Sequence, residues 1–342
     1  MNKIGFACKW IDRPDQVNGL KANDSAKQYN TGTTTVAWLN RQTKQTAETK
    51  LRSLIKQNTT ATLKLVQKVG ALDEPLRMLR LSSDILPVYT HPDYKWFYSL
   101  PDTQEFLSNA FAKIGNTARD NNIRLSFHPG QFCVLSSDRP EVVANSIEEF
   151  EYHADMARWM GYGAQFQDMK INVHVSGKNG AAGFRAAYNK LSDVAKNCIT
   201  VENDEHVFGL DECLDLIDLC PVVLDIHHHW VKTGEHIEAD DPRIEKVVQS
   251  WRGVVPTIHY SNSIESIWAD NYSNCKPDYH LLLESGVKKQ QLRAHSNFYI
   301  NSALNDWVLT HSAWADIMCE SKGKNLASFE LYAYRQRSQD NL

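Results

Sequence analysis

The chain contains no apolar run long enough to cross a membrane. A transmembrane helix needs about 20 consecutive, mainly apolar residues, and none of the 342 residues belongs to such a run. The first ten residues, MNKIGFACKW, lack the apolar centre of a secretory signal peptide. No low-complexity linker divides the sequence. We therefore expect a cytoplasmic protein without membrane contact, folded as a single domain over residues 1–342.

Paired cysteines and an excess of positive charge are also missing. The seven cysteines are odd in number and include no C-x-x-C pair. This favours reduced, mostly buried thiols over disulfides or thiolate metal ligands. The formal net charge is −4, which is not the balance of a generally basic nucleic-acid-binding protein. Any DNA binding must therefore use a local basic surface, or metal ions that offset the acidic residues.

What the sequence does contain is an alternation of strand-like and helix-like segments. Short β-branched runs are followed by loops and, in most cases, by helical stretches of roughly a dozen residues or more. Strands are predicted at 3–7, 76–81, 123–128, 170–175, 198–202, 222–226, 254–260 and 315–320. Helices are predicted at 43–70, 102–121, 140–161, 181–196, 209–219, 241–251 and 301–312. This order predicts an α/β fold, a (β/α)8 TIM barrel, with long rim loops after strands 1 and 7, at about 8–42 and 262–298.

Six of the predicted strands carry, as their last or last but one residue, a side chain that can bind a metal. These residues are His128, His174, Glu202, Asp225, His259 and Glu320. In a closed barrel the carboxyl ends of all strands meet at one rim, where barrel enzymes place their active sites. Imidazole and carboxylate groups without thiolate suit Zn, Mn or Fe. The pattern predicts a polynuclear metal site, in which Glu202 can bridge two ions and His228, in the loop after Asp225, adds a further ligand.

A cluster of divalent ions is suited to phosphodiester cleavage. Two or three ions about 4 Å apart activate water, hold the phosphate and stabilise the leaving oxygen. The alternative is a sugar isomerase of the xylose-isomerase type, which also uses carboxylate and histidine metal sites in such barrels. That chemistry needs fewer histidine ligands and a compact pocket, whereas long rim loops with basic and aromatic residues favour a large substrate. A third hypothesis is a DNA-binding module without catalytic activity.

Several short blocks of the sequence resemble those of the UV damage endonucleases. They are NTGTTT at 30–35, RLSS at 80–83, FHPGQ at 127–131, VH at 173–174, VENDE at 201–205, DIHHH at 225–229, AHS at 294–296 and DIMCESKGK at 316–324. The blocks occur in the order typical of the family, so the resemblance covers nearly the whole chain. Sugar isomerases and apurinic endonucleases share the barrel but do not combine the HPGQ and DxHHH blocks.

The resemblance implies up to three metal ions, often manganese, with Zn²⁺ or Mg²⁺ as alternatives. It assigns the first ion to His128, His174 and Glu202, the second to Glu202, Asp225, His259 and Glu320, and the third to His228 and His295. It also implies a catalytic set of Glu202, Asp225, His228 and Lys178.

The substrate that the resemblance implies is duplex DNA carrying UV photoproducts or other distorting lesions. The strand would be cut 5′ of the lesion, leaving a 3′-hydroxyl and a 5′-phosphate. Gln131 and Phe132 would enter the duplex as a wedge, Phe6 would contribute a stacking ring, and Arg80 and Lys178 would lie near the phosphates. We expect a monomer.

The chain departs from the family pattern at three positions. Phe6 and Phe132 stand where relatives carry an aromatic hydroxyl, so ring stacking remains while hydroxyl contacts are lost. Thr257, two residues before His259, stands where some relatives have a lysine that becomes carboxylated into an extra metal ligand. We therefore expect the third ion to bind more weakly, or with water completing its ligands.

Overall fold

A closed barrel of eight parallel strands forms the centre of the molecule. The computed structural model describes residues 2–267 and 274–340. The strands are β1 Ile4–Ala7, β2 Met78–Arg80, β3 Arg124–Phe127, β4 Lys170–His174, β5 Ile199–Glu202, β6 Val222–Asp225, β7 Thr257–Tyr260 and β8 Asp316–Cys319. Each strand pairs with the next one along the chain, and β8 pairs with β1 to close the ring. The predicted TIM barrel is confirmed, whereas the single-domain organisation stays a prediction.

Helices follow the strands and cover the outside of the barrel. The α-helices are α1 Val36–Leu39, α2 Lys44–Gly70, α3 Lys95–Tyr98, α4 Pro101–Asp120, α5 Pro140–Trp159, α6 Gly180–Tyr188, α7 Asp193–Cys198, α8 Leu210–Leu214, α9 Ile226–Thr233, α10 Pro242–Ser250, α11 Tyr279–Glu284, α12 Lys289–Arg293, α13 Ser302–His311 and α14 Lys324–Asp340. Short 3-10 helices cover Pro14–Asn18, Ser25–Tyr29, Glu74–Leu76 and Glu265–Ile267. No helix in the described ranges combines the length and apolarity that a bilayer span requires.

The short helices α1, α3, α11 and α12 were not predicted, and four further differences concern the other helices. The predicted helix 181–196 is two helices, because Ser192 starts a new one by capping the main-chain N–H of Ala195. The predicted helix 209–219 is helical only over Leu210–Leu214. Helix α9 follows β6 without a loop, so His228 lies on a helix and not in a loop as predicted. Helix α14 was not predicted, since its buried side includes small and polar residues that leave no clear apolar stripe.

Close packing of α4 and α5 illustrates how tightly the outer layer is built. Phe111 and Ile114 on α4 are fully buried, and the Phe111 ring stacks on Trp159 with the ring centroids 5.7 Å apart. A Cβ atom on Gly115 would lie 1.9 Å from the carbonyl oxygen of Met160. Only a glycine therefore allows α4 to approach the end of α5 this closely.

The inside of the barrel is partly polar. Successive residues of a strand point to opposite faces, so β4 directs Lys170, Asn172 and His174 to the same side. Asn172 accepts a hydrogen bond from Thr200 on β5 at 2.8 Å. At the amino end of the strands, Arg124 donates to Asp316 at 2.7 Å. Hydrogen-bonded polar side chains are therefore found inside the barrel from the amino end of the strands to the carboxyl rim.

The two long rim loops are present as predicted, after β1 and after β7. Residues 268–273 of the second loop lie outside the described residues. In the first loop, Asn30 bonds to both main-chain groups of Trp10, at 2.9 Å each. Asn58 bonds in the same way to Gly32, at 2.8 Å each. Each amide side chain bonds to the main-chain N–H and C=O of one residue, as a neighbouring strand would, and so holds the loop over the barrel.

Candidate metal centre

The parallel register brings the strand-end side chains together. Across β4 and β5, His174 lies beside Glu202, and across β6 and β7, Asp225 lies beside His259. The six strand-end candidates occupy one site at the carboxyl rim: His128, His174, Glu202, Asp225, His259 and Glu320.

Glu202 lies at the middle of this site and is fully buried. Its Oε2 is 3.2 Å from His128 Nε2 and 3.1 Å from His259 Nδ1. Its Oε1 is 4.0 Å from His174 Nε2 and 3.5 Å from His228 Nδ1. Two histidines therefore face each carboxylate oxygen, which is the arrangement expected of a carboxylate that bridges two cations.

Asp225 connects the site to helix α9. Its Oδ1 accepts the main-chain N–H of His228 at 2.7 Å and so caps the helix. Its Oδ2 lies 3.6 Å from His228 Nδ1 and has no hydrogen-bond partner within the described ranges. The cap holds His228 in the first turn, where His228 Nε2 lies 3.7 Å from Glu205 Oε2. A helix that begins directly after β6 thus forms one wall of the site.

Glu320 joins the site from the last strand. Its Oε1 is 3.2 Å from His259 Nδ1. Arg80 donates a hydrogen bond to the same carboxylate oxygen. Arg80, which the sequence placed near the DNA phosphates, is therefore engaged with a candidate metal ligand.

Burial and mutual repulsion shape the protonation of the carboxylates. Burial raises the pKa of Asp225 to about 8; His228 opposes this shift, and Glu202 and Glu320 add to it. Burial acts in the same direction on Glu202, but His259 and the other histidines hold its pKa well below the ordinary value. Burial disfavours the charged form of His228, yet the surrounding carboxylates raise its pKa to about 9. Cations between these acids would relieve the repulsion.

The donor atoms fit divalent metal ions. Three groups have ligand atoms within 4.8 Å of one another, namely His128, His174 and Glu202; Glu202, Asp225 and His228; and Asp225, His259 and Glu320. Glu202 Oε1, Asp225 Oδ2 and His259 Nδ1 are buried and have no hydrogen-bond partner among the described residues. Buried polar atoms are rarely left unpaired, and nitrogen and oxygen donors without sulfur suit Mn, Zn or Fe. The site therefore fits a metal cluster, with His228 grouped beside Glu202 and Asp225.

His295 lies at the edge of this site. Its Nδ1 is 3.0 Å from the carbonyl oxygen of Glu320, and its ring centroid is 6.4 Å from that of His228. It belongs to none of the three groups found among the described residues. Its assignment to a third ion, together with His228, stays a prediction.

The residues expected at the lesion differ in exposure. Gln131 is exposed, and Phe132 is 85% exposed, on the loop between β3 and α5. Phe6 is only 1% exposed and packs edge-on against Trp10, with the ring centroids 5.8 Å apart. In this packing no face of the Phe6 ring is open to a DNA base, whereas the Phe132 ring is free.

Lys178 lies at the protein surface. Its side chain is 83% exposed, and its amino group is 2.9 Å from the Asp138 carboxylate. No contact in the described ranges joins it to the metal centre, so its catalytic role stays a prediction.

Three polar residues of the site were missed at the sequence level. Lys170 Nζ lies 3.0 Å from His259 Nε2, and burial lowers the pKa of Lys170 to about 7. Asn172 donates to Glu202 Oε2, and Glu205 approaches His228. The signal was the polar, apolar alternation of the strand KINVH, which marks Lys170 and Asn172 as sharing a face with His174. An amino group therefore reaches His259 from β4.

Comparisons with known proteins find relatives over most of the chain. The family model described as UV-endonuclease UvdE matches residues 17–340. The UV DNA damage endonuclease of Bacillus velezensis is 34% identical over 221 residues, covering 62% of this chain and 66% of that protein. Its counterpart in Bacillus cereus strain B4264 is 28% identical over 298 residues, covering 84% of both chains.

Two crystal structures share the fold. SacUVDE has a TM-score of 0.72 and 24% identity, covering 100% of this chain and 99% of that chain. Endonuclease IV from Thermus thermophilus has a TM-score of 0.51 and 14% identity, covering 80% of this chain and 94% of that chain.

Proposed function

The chain belongs to the UV-endonuclease UvdE family, and from this premise we propose that it incises duplex DNA 5′ of UV photoproducts. Other lesions that distort the duplex belong to the same substrate class. The cut adds water across the phosphodiester and breaks the P–O3′ bond, which leaves a 3′-hydroxyl and a 5′-phosphate. We propose Mn²⁺ as the metal ion, with Zn²⁺ and Mg²⁺ as the alternatives to be tested.

The observation that carries this proposal is the convergence of histidines and acids on Glu202. When bound, divalent ions would polarise water and the scissile phosphate and offset the charge of the leaving oxygen. Glu202 would hold two ions next to each other, since two histidines face each of its carboxylate oxygens. Asp225 keeps one oxygen for the helix cap and presents the other to the site. Arg80 would fix the position of Glu320.

The exposed loop after β3 is the proposed lesion sensor. Gln131 and Phe132 follow His128 closely in sequence, so a wedge at these positions acts next to the site of cutting. An apolar side chain inserted between bases costs less at a step that is already unstacked by damage. The wedge would thereby favour damaged duplex. We also propose that the protein acts as a monomer.

The test is incision of a labelled duplex that contains one pyrimidine dimer, with Mn²⁺ and with a chelator. We expect a metal-dependent cut 5′ of the dimer and no cut in the matched undamaged duplex. Extension of the upstream fragment by a DNA polymerase checks for the 3′-hydroxyl. A folded, metal-loaded protein that leaves the damaged strand intact would contradict the proposal.

The same experiment separates the other two hypotheses. A sugar isomerase would convert aldoses and leave the duplex uncut, whereas a binding module without catalysis would retain damaged DNA without cutting it under any metal. Family membership favours the endonuclease over both.

A further inference from the structure

A second, positively charged site lies beside the metal centre. A cavity of about 650 Å³ opens between the loop after β1 and the segment after β8. Four lysines line it, namely Lys9, Lys27, Lys322 and Lys324, and its lining contains no acidic residue. We call it the basic cavity. We propose that it binds the backbone phosphates of the DNA strand next to the phosphate that is cut, an inference that rests on the proposed function.

The four lysines of the basic cavity form no ion pair with a carboxylate of the described residues. In the described part of the chain, the lysine ion pairs are those of Lys95, Lys178 and Lys276. The acids of the adjacent loop are already engaged: Asp24 pairs with Arg13 at 3.1 Å, and Asp12 accepts a hydrogen bond from Ser25 at 2.7 Å. Four lysines without a carboxylate within ion-pair distance, in a chain of net charge −4, are a local feature that favours an anionic ligand.

The basic cavity is joined to the metal centre through two segments of the chain. Lys322 and Lys324 lie two and four residues after Glu320, on the same rim segment. Cys8 lines the cavity, and its main-chain N–H donates to the carbonyl oxygen of Arg80 at 2.7 Å. Successive phosphates of one strand are about 3.4 Å apart along the helix axis. A strand whose phosphate reaches Glu320 and that runs toward Lys322 would carry its next phosphates past these lysines.

The backbone around the basic cavity has two further features of an anion site. Cys8 and Lys324 have φ values of 70° and 50°, a left-handed conformation that residues other than glycine rarely adopt. Such backbone outliers concentrate at functional sites. Helix α14 also begins at Lys324, so the amino end of a 17-residue helix adds positive potential at the cavity wall.

The first test measures the salt dependence of DNA binding. The double variant Lys322→Gln/Lys324→Gln is compared with Lys113→Gln/Lys246→Gln, which makes the same charge change at exposed positions on α4 and α10. The probe is an undamaged duplex in the presence of a chelator, so binding requires neither lesion recognition nor cutting. Each lost phosphate contact lowers the slope of log Kd against log salt by about 0.9. We expect a decrease of about 1 to 2 for the cavity variant and none for the control.

The second test locates the contact on the DNA. In a duplex that carries one pyrimidine dimer, with a chelator present, neutral methylphosphonates replace one phosphate at a time along the damaged strand. In the wild type, two or three neighbouring replacements next to the cutting position should weaken binding roughly tenfold each. In the cavity variant the same replacements should have no further effect. Equal salt slopes for cavity and control variants, or a flat methylphosphonate profile in the wild type, would overturn the proposal.

Failure of this inference and failure of the proposed function give different results. Lysine-dependent binding in a protein that cuts no damaged duplex supports the basic cavity and removes the lesion-directed cut. Cutting of damaged duplex together with equal binding by cavity and control variants removes the basic cavity alone.

Discussion

Glu202 lies within 4.0 Å of four histidines. Replacing one of its carboxylate oxygens should therefore affect the whole candidate metal centre. We predict that Glu202→Gln lowers the rate of cleavage about 100-fold or more, because the amide removes both a charge and a bridging ligand. The side chain keeps its shape, so the fold should remain. Cleavage rate and bound metal per chain are measured together.

The matched control for this change is Glu105→Gln, which alters an exposed acid on α4 in the same way. It should leave both the rate and the metal content at the wild-type level. Equal cleavage by Glu202→Gln and the wild type at saturating Mn²⁺ would show that Glu202 does not hold the ions.

Phe132 is the most exposed large apolar side chain in the described part of the structure. We predict that Gln131→Ala with Phe132→Ala lowers the preference for damaged over undamaged duplex about 5- to 150-fold, since stacking on a base is worth roughly 1–3 kcal/mol. Metal content should not change. Binding to both duplexes is measured at one salt concentration, because phosphate contacts alone vary steeply with salt.

Phe132→Tyr serves as the control, since it keeps the ring and adds only a hydroxyl. It should retain the preference for damaged duplex. A double alanine variant that still discriminates fully would place the lesion sensor on another rim loop.

Single residues were predictable where local sequence determines their position and not where packing does. Strand ends are visible as the end of a β-branched run, and they located the ligand candidates from His128 to Glu320. Whether Phe6 stacks on DNA or packs on Trp10 depends on a loop that returns from residue 30, which no local pattern records. Lys170 was missed because a lysine that begins a strand is usually at the surface.

At the level of elements, the contact between α4 and α5 should be sensitive to a single methyl group. We predict that Gly115→Ala destabilises the protein by about 1–3 kcal/mol, because the added Cβ meets the Met160 carbonyl oxygen at 1.9 Å and the helices must separate. Denaturant unfolding with a chelator present measures the change.

Lys113→Ala, at an exposed position of the same helix, is the control and should change stability by no more than about 0.5 kcal/mol. A stable Gly115→Ala variant would mean that α4 can shift without cost.

Helix α9 shows why the segment after β6 was misread. The segment IHHHWVKT has little helical propensity and only a short apolar side, formed by Ile226, Trp230 and Val231. It is helical because the Asp225 carboxylate caps its first turn and Gly234 ends it with a left-handed conformation. An aspartate directly before a helix is a capping pattern that the sequence shows. The strand-end pattern, however, predicts Asp225 only as a metal ligand.

For the whole molecule, metal binding should be coupled to stability. Ligands from strands far apart in sequence are brought together only in the folded barrel, so ions that bind there stabilise the folded state. We predict that Mn²⁺ at 100 times its dissociation constant adds about 2.7 kcal/mol per independent site and that a chelator reverses this. Glu202→Gln should show a smaller gain. Thermal unfolding with and without Mn²⁺ measures both, and equal stability in both conditions would contradict the prediction.

Buried histidines away from the metal centre predict sensitivity to acid. Burial lowers the pKa of His311 to about 4, so the folded protein keeps this side chain neutral while the unfolded chain protonates it near pH 6.5. Neutral His311 therefore makes its full contribution to the free energy of unfolding above pH 6.5. This contribution is lost as pH falls toward 4, at up to about 1.4 kcal/mol per pH unit. In the variant His311→Gln, the free energy of unfolding should depend less steeply on pH between 4 and 6.5 than in the wild type.

Urea unfolding at pH 6.5, 5.5 and 4.5 with a chelator measures this effect. The exposed His280→Gln is the control and should follow the wild type. Parallel curves for His311→Gln and the wild type would assign the acid sensitivity to other groups.

The barrel itself was predictable because eight strand signals alternate with helices, and this order admits few topologies. The register between strands was not, because it depends on how the ring closes. That register sets His174 beside Glu202 and Asp225 beside His259, and so determines which ligands share an ion.

Closure of the ring also bears on synthesis of the protein. The main-chain N–H of Lys3 donates to Asp316 at 2.6 Å, a contact between residues 313 positions apart. On the ribosome, β1 therefore has no partner on one side until β8 emerges. Until then β7 presents an unpaired edge, which is prone to join other chains. Glu320 also emerges last among the candidate ligands, so a nascent chain cannot assemble the nuclease centre before β8 and the residue after it have been synthesised.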